Sequence, residues 1–97
     1  MIANVLLRSI SFFIAGFKIK ADNLKNDNPI AKLDVVADWG TTKLAEMEID
    51  KDDVSSGEYA YIDLDFKTLK RYSNVEFRIY YYGNADLYFE KILLKEK

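Results

Sequence analysis

The amino-acid sequence predicts an all-β chain that folds as an antiparallel β-sandwich of jelly-roll-like form. Apolar and polar residues alternate with period two in one segment after another, which is the pattern of strands that bury one face. Clusters rich in Asn, Asp, Gly and Ser separate these segments. Short strands joined by turns, with no convincing long helix, are typical of two packed antiparallel sheets.

The length and composition indicate one globular domain. A chain of 97 residues is long enough for one core and too short to divide into two, so we expect a single domain over residues 1–97. The 14 Lys and Arg residues nearly balance the 16 Asp and Glu residues, which argues against nonspecific nucleic-acid binding. The chain has no Cys and no His, which excludes disulfides and thiolate metal sites and removes the commonest general base.

The first twelve residues give the least specific pattern. Apolar side chains at Ile2, Leu6 and Ile10 fit the spacing of a helix as well as that of a strand, so helix, edge strand and irregular structure all stay open for residues 1–12. Arg8 interrupts the apolar run, so the segment matches neither a signal peptide nor a membrane span. We therefore expect no membrane span, and we interpret this segment as part of the domain core.

The next segments predict a strand, a turn and a hairpin. Alternation from Phe13 to Ile19 places the apolar side chains on one face and Lys18 and Lys20 on the other. The polar run 22–29 contains the only proline and reads as a turn. Alternating segments at 31–37 and 45–49 flank a break at Trp39-Gly40-Thr41-Thr42, which is a hairpin signature.

The second half of the chain predicts three more strands. The segments 60–66 and 75–81 alternate clearly, and polar loops at 50–57 and 67–74 precede them. A turn at 83–86 leads to a closing strand over 87–95. In this strand the apolar positions change parity near Glu90 and Lys91, which predicts a β-bulge or an edge strand there.

No group of residues makes a strong case for catalysis. Asp63 and Asp65 share one face of a strand and are the best-spaced pair of carboxylates for glycosidase-type chemistry. On an alternating strand, however, the polar positions form the solvated face, and this interpretation is favoured. We therefore expect a non-catalytic protein.

No cofactor or metal is predicted. The run that starts at Asp50 resembles the beginning of an EF-hand calcium loop, but Ser55 and Tyr61 occupy the positions that require Gly and Glu. A looser structural calcium site built from Asp22, Asp27 or Asp50 with backbone carbonyls remains as an alternative. No glycine-rich phosphate-binding loop follows a strand, so nucleotide binding has no support.

The aromatic residues give the clearest functional signal, at 14% of the chain. Four tyrosines fall on the polar parity of two strands, and one tryptophan lies at a hairpin tip. A flat ring with a hydroxyl group suits the C–H faces and hydroxyl edges of sugars as well as protein surfaces, although tyrosines also pair across strands for purely structural reasons. An arginine and an asparagine nearby add polar contacts. The candidate ligand-binding residues are Trp39, Tyr59, Tyr61, Arg78, Tyr80, Tyr82 and Asn84.

The carboxy-terminal part of the chain resembles the ending of galactose-binding-like jelly rolls, which include carbohydrate-binding modules. The resemblance lies in a penultimate strand, EFRIYYYG at residues 76–83, followed by a short polar turn and a closing strand, LYFEKILL at residues 87–94. The earlier strands are compatible with the same architecture, so the resemblance extends over residues 17–95. It implies a non-catalytic module that binds an oligosaccharide or glycan.

The same resemblance implies that strands are missing at the amino terminus. Such modules usually run longer and begin with further strands, where this chain has residues 1–12. The resemblance then implies a shortened version of such a module, a fragment of a larger protein, or one protomer of a homodimer that completes or covers the sheet. The alternative function is therefore an interaction or homo-oligomeric assembly module, in which a tyrosine face is the subunit interface.

Overall fold

The computed structural model describes residues 2–3, 11–54 and 57–97, and they form strands and loops without a helix. An antiparallel β-sandwich, as predicted, is confirmed. The described part contains no helix that is long and apolar enough to cross a membrane. The strands are β1 (Ile2–Ala3), β2 (Ser11–Asp22), β3 (Ala31–Ala37), β4 (Thr42–Ile49), β5 (Ala60–Thr68), β6 (Val75–Tyr81) and β7 (Asp86–Glu96).

Two antiparallel sheets make up the sandwich. One has four strands in the order β1-β6-β3-β4, and the other has three in the order β5-β2-β7. The consecutive strands β6 and β7 therefore belong to different sheets. As a result, outward-facing residues of β6 and outward-facing residues of β7 lie on opposite surfaces of the sandwich.

The core lies between the two sheets and contains the apolar positions that the period-two pattern predicts. Phe17 and Ile19 from β2 and Leu33 and Val35 from β3 are fully buried. Phe66 of the three-stranded sheet contacts Phe77 of the four-stranded sheet, with ring centroids 6.2 Å apart. Burying side chains of this size is the main stabilising term, at about 2 kcal/mol each.

The structure decides only in part among helix, edge strand and irregular structure for residues 1–12. Ile2 and Ala3 form the short strand β1 against β6, and Ser11 and Phe12 already belong to β2. The helical alternative is therefore wrong at these four positions. Met1 and residues 4–10 lie outside the described residues.

The predicted hairpin is formed by β3 and β4, which pair from Ala31 opposite Ile49 to Ala37 opposite Thr42. A register shift between Val35 and Val36 makes β4 bulge. The connection over residues 38–41 is the tight turn that the sequence break predicts. This hairpin carries the chain's only tryptophan at its tip.

The predicted irregularity in the closing strand is also confirmed. Lys18 pairs with Lys91, but Ile19 pairs with Phe89, so Glu90 is the extra residue of a bulge in β7. The strand also lies at the edge of the three-stranded sheet. Both alternatives, bulge and edge strand, therefore hold at once.

Candidate functional site

The four tyrosines on the polar parity of two strands lie on opposite sides of the sandwich. Tyr80 follows the polar parity of β6, in the four-stranded sheet, and Tyr61 lies on β5, in the three-stranded sheet. Because the two sheets pack through their inner faces, their outer faces point in opposite directions. Tyr59 and Tyr61 therefore do not share a surface with Tyr80 and Tyr82, and sequence parity does not reveal this because it does not show which sheet a strand joins. We call the two surfaces the four-stranded face and the three-stranded face.

The centre of the four-stranded face is a pair between Arg78 and Asp34. The two residues lie opposite each other on β6 and β3. Arg78 Nε donates to Asp34 Oδ1 and Nη2 donates to Oδ2, both at 2.8 Å. The Asp34 side chain is 5% exposed although it points away from the core. This hydrogen bond to the carboxylate raises the pKa of Arg78.

Two lysines and a glutamate extend this charged centre towards β4. Glu46 accepts from Lys43 at 3.0 Å and pairs with Lys32 at 3.1 Å. The hydrogen bonds from Lys43 and Lys32 lower the pKa of Glu46, and the bond to Glu46 raises the pKa of Lys32. Positive and negative groups therefore alternate across this face.

Two tyrosines line one end of the four-stranded face. Tyr80 is 64% exposed, and its ring lies 5.6 Å from Lys32 Nζ and 5.7 Å from the ring of Tyr82. The Tyr82 hydroxyl donates to Glu48 Oε2 at 3.1 Å, and burial followed by this bond raises the pKa of Tyr82. A depression of about 380 Å³ opens beside the Tyr80 ring, lined by Lys32, Asp34, Arg78, Ile79 and Tyr80.

Trp39 lies at the tip of the β3–β4 hairpin with 76% of its surface exposed. Three successive residues, Asp38, Trp39 and Gly40, have positive φ, a conformation that costs a bulky side chain free energy. The Asp38 backbone N–H donates to the Ser73 carbonyl at 2.8 Å and helps fix the turn. A Cβ on Gly40 would lie 3.7 Å from Arg78 Nη1, so the tip sits at the border of the four-stranded face.

The three-stranded face carries alternating lysines and tyrosines. Lys20 Nζ lies 4.5 Å from the ring centroid of Tyr88 and 5.0 Å from that of Tyr59. Lys18 Nζ lies 5.9 Å from the Tyr59 ring and 5.8 Å from the Tyr61 ring. These cation–π contacts hold the rings in a row across the three strands.

Tyr61 also has a structural role. A Cβ added to Gly16, in the central strand β2, would lie 3.2 Å from Tyr61 Cδ1 and 3.1 Å from Asp63 Oδ1. Gly16 is buried on the outer side of its sheet because these neighbours cover it. An aromatic residue that covers a strand glycine supports the sheet, so Tyr61 fits the structural interpretation of the tyrosines.

Asn84 does not offer its amide to a ligand at the surface. It is 9% exposed, and its Nδ2 donates to Asn26 Oδ1 at 2.9 Å and to the Asn28 carbonyl at 3.1 Å. Its Oδ1 is buried and has no hydrogen-bond partner among the described residues. The side chain therefore ties the β6–β7 loop to the loop between β2 and β3.

The acidic residues considered for catalysis lie on the three-stranded sheet, apart from the four-stranded face. Asp63 and Asp65 are exposed on β5, and Asp65 pairs with Lys97 at 2.8 Å. Asp27 pairs with Lys51 at 3.0 Å, which raises the pKa of that lysine. Over residues 2–3, 11–54 and 57–97, no cluster of three or more Asp or Glu side chains has the arrangement of a metal site.

Of the seven predicted site residues, four belong to one side of the molecule. Arg78, Tyr80 and Tyr82 line the four-stranded face and Trp39 lies at its border, whereas Tyr59 and Tyr61 are on the opposite face and Asn84 is internal. The prediction missed Asp34, Lys32 and Tyr88. Their parity on their own strands marks them as outward, but only the pairing of distant strands brings them beside Arg78, Tyr80 and Lys20.

Comparison of the chain with family models, with curated proteins and with solved structures gave no match.

Proposed function

We propose that this chain is a non-catalytic carbohydrate-binding module that binds its ligand on the four-stranded face. The observation that carries the proposal is the depression of about 380 Å³, which places the exposed ring of Tyr80 beside Lys32 and the Arg78–Asp34 pair. Binding sites for sugars need an apolar platform and a few fixed polar groups close together. The resemblance of the closing strands to galactose-binding-like jelly rolls supports the same function.

The polar groups around the depression suit a ligand rich in hydroxyl groups. Arg78 donates through Nε and Nη2 to Asp34, and its Nη1 lies near Gly40 at the hairpin tip. Lys32 supplies a second donor, and the Glu46 and Glu48 carboxylates on the neighbouring strand β4 supply acceptors next to the depression. Because these groups hold one another in place, little side-chain ordering is needed when a ligand binds.

The charge of the four-stranded face favours a neutral ligand. Three cationic side chains, Lys32, Lys43 and Arg78, stand against four carboxylates, Asp34, Glu46, Glu48 and Glu76. The balance gives no net attraction for a polyanion such as nucleic acid, whose binding depends on an excess of cations. We therefore propose an uncharged oligosaccharide as the ligand.

The test is an NMR titration with neutral galacto-, xylo-, manno- and cello-oligosaccharides. We expect shifts of backbone signals in β3 and β6, and we expect Tyr80→Ala to weaken binding about tenfold through loss of the ring platform. Tyr59→Ala is the matched control on the opposite face and should leave the affinity unchanged. No shifts with any sugar, or an equal effect of Tyr59→Ala, would contradict the proposal.

A further inference from the structure

The closing strand β7 is the longest exposed edge in the described part of the molecule. It has 11 residues and pairs on one side with β2, at the end of the order β5-β2-β7. Its apolar side chains are partly exposed on both faces of the sheet: Tyr88 by 44%, Phe89 by 40% and Leu93 by 41%. A long apolar edge strand is a template for pairing with another strand.

We propose that β7 pairs antiparallel with β7 of a second copy of this chain, about a two-fold axis between Glu90 and Lys91. The two three-stranded sheets then join into one continuous sheet, in the order β5-β2-β7-β7-β2-β5. The interface is isologous: where residue i of one copy contacts residue j of the other, residue j of the first copy also contacts residue i of the second.

The bulge at Glu90 is what makes the strand complementary to itself. Before the bulge, Leu87 and Phe89 pair with core positions of β2, and after it Ile92 and Leu94 do so. In the proposed register Phe89 lies opposite Ile92, and Leu87 opposite Leu94, so core-facing side chains meet core-facing side chains. A shift of the register by one residue would set core-facing side chains against outward ones, because the two sides of a sheet alternate.

The outward side chains are complementary in the same register. Tyr88 lies opposite Leu93, which gives an apolar cross-strand pair. Asp86 lies opposite Lys95, and Glu90 lies opposite Lys91, so each close pair of charges has opposite signs. The two-fold axis repeats each of these pairs, which doubles its contribution.

The charged residues of β7 disfavour the registers that are shifted by one residue. Edge strands often carry lysines that prevent unwanted pairing, and Lys91 and Lys95 lie on the outward side of β7. In the proposed register both lysines meet a carboxylate, whereas a two-fold axis through Lys91 would bring the two Lys91 side chains together. The charges therefore favour the proposed register over its nearest neighbours, and the two-fold symmetry closes the assembly at a dimer.

This dimer is independent of the proposed sugar binding. The joined strands belong to the three-stranded sheet, so the four-stranded faces of both copies stay exposed. Two binding faces on one particle would raise the apparent affinity for a multivalent glycan.

Charge exchange between Asp86 and Lys95 tests the register. Asp86→Lys alone and Lys95→Asp alone each create two like-charged pairs, and we expect each to weaken the dimer about tenfold or more in sedimentation velocity. A mixture of the two variants restores both opposite-charge pairs and should form a heterodimer. Asp52→Lys and Lys67→Asp make the same charge changes away from β7 and should leave the dimer intact.

Disulfide trapping tests the same register independently of the charges. The natural chain has no Cys, so Tyr88→Cys/Leu93→Cys introduces the only thiols. The two positions are separated within one strand by about 16 Å, too far for a bond within the chain. Oxidised glutathione, which accepts the two electrons and is itself reduced, should therefore yield a covalent dimer. Tyr88→Cys/Lys91→Cys should not yield a covalent dimer, because positions 88 and 91 face each other only in a register shifted by two residues.

Three results would overturn the inference. The first is a natural chain that remains monomeric at every concentration in sedimentation. The second is a dimer that neither Asp86→Lys nor Lys95→Asp weakens. The third is equal cross-linking of the two cysteine variants. Since none of these measurements includes a sugar, failure here leaves the proposed carbohydrate binding to its own titration.

Discussion

Arg78 and Asp34 face each other across two strands that are far apart in the sequence, and the guanidinium donates two parallel hydrogen bonds to a carboxylate that is almost completely buried. The pair lies on the outside of the four-stranded sheet, where alternation alone predicts two separate solvated charges. Because Asp34 is buried, the guanidinium and the carboxylate are held in a fixed geometry, and both line the depression of the candidate site.

Removing Arg78 should destabilise the fold. Arg78→Met leaves the Asp34 carboxylate buried without its partner, and we expect a loss of about 3 kcal/mol in the free energy of unfolding, at the low end for such pairs because Arg78 is itself half exposed. Urea denaturation measures the change. Arg71→Met, in the exposed loop before β6, is the matched control, and an equal loss for both variants would contradict the structural role of the pair.

Trp39 should limit the stability of the hairpin. Its φ of 60° is unfavourable for a bulky residue, and Asn adopts this conformation more readily. We expect Trp39→Asn to raise the free energy of unfolding by up to about 1 kcal/mol, because it relieves this conformational cost and removes an exposed indole. Thermal unfolding followed by circular dichroism checks the sign.

A clear decrease in stability for Trp39→Asn would show that the indole packs against the protein. Gly40→Ala serves as the reverse control, since it adds a side chain at a φ of 84° and should destabilise the same turn. If the glycan also contacts the hairpin tip, Trp39→Asn will weaken binding while the fold becomes more stable.

Tyr61 and Tyr59 should differ in their effect on stability, although they are neighbours on one face. Tyr61 covers Gly16, so Tyr61→Ala exposes the backbone of the central strand and should cost about 1 kcal/mol. Tyr59→Ala removes cation–π contacts with two lysines and should cost less. Denaturation midpoints of the two variants, measured side by side, provide the test. Equal losses would contradict the covering role.

The Glu46 ion pairs should make stability depend on pH in the acid range. Its pKa is lower in the folded chain than the ordinary value of 4.5, so its pairs with Lys43 and Lys32 favour folding above that value. This contribution is lost as the pH falls through the folded pKa. We expect Glu46→Gln to be less stable than the natural chain at neutral pH, and we expect this difference to shrink as the pH falls below 4.5 through the folded pKa. A difference that persists unchanged in acid would contradict this assignment.

Much of the fold could be predicted from the sequence, because the alternation of apolar and polar residues along a strand depends only on neighbouring positions in the chain. The parity change at Glu90 predicts the bulge of β7, and the break at Trp39 predicts the hairpin tip, since both features depend only on neighbouring residues. The strand positions themselves follow from the same period-two pattern.

The arrangement of the site could not be predicted in the same way. Parity shows that Tyr61 and Tyr80 both point outward, but strand pairing decides that they point in opposite directions. The burial of Asp34 depends on β6 lying beside β3, and the burial of Asn84 depends on contact between two distant loops. Pairings of this kind leave no local pattern in a single sequence.

The strand order has a further consequence for the speed of folding. Among the strands of the described residues, only β3 and β4 pair with a direct neighbour in the chain, and every other pairing joins distant segments. The entropy of closing these long loops must be lost before their contacts form, so the chain should fold slowly for its size, in milliseconds to seconds. Until β5 and β7 have paired with β2, both edges of this apolar strand are exposed. The tendency of the folding chain to aggregate therefore depends on how quickly these two pairings form.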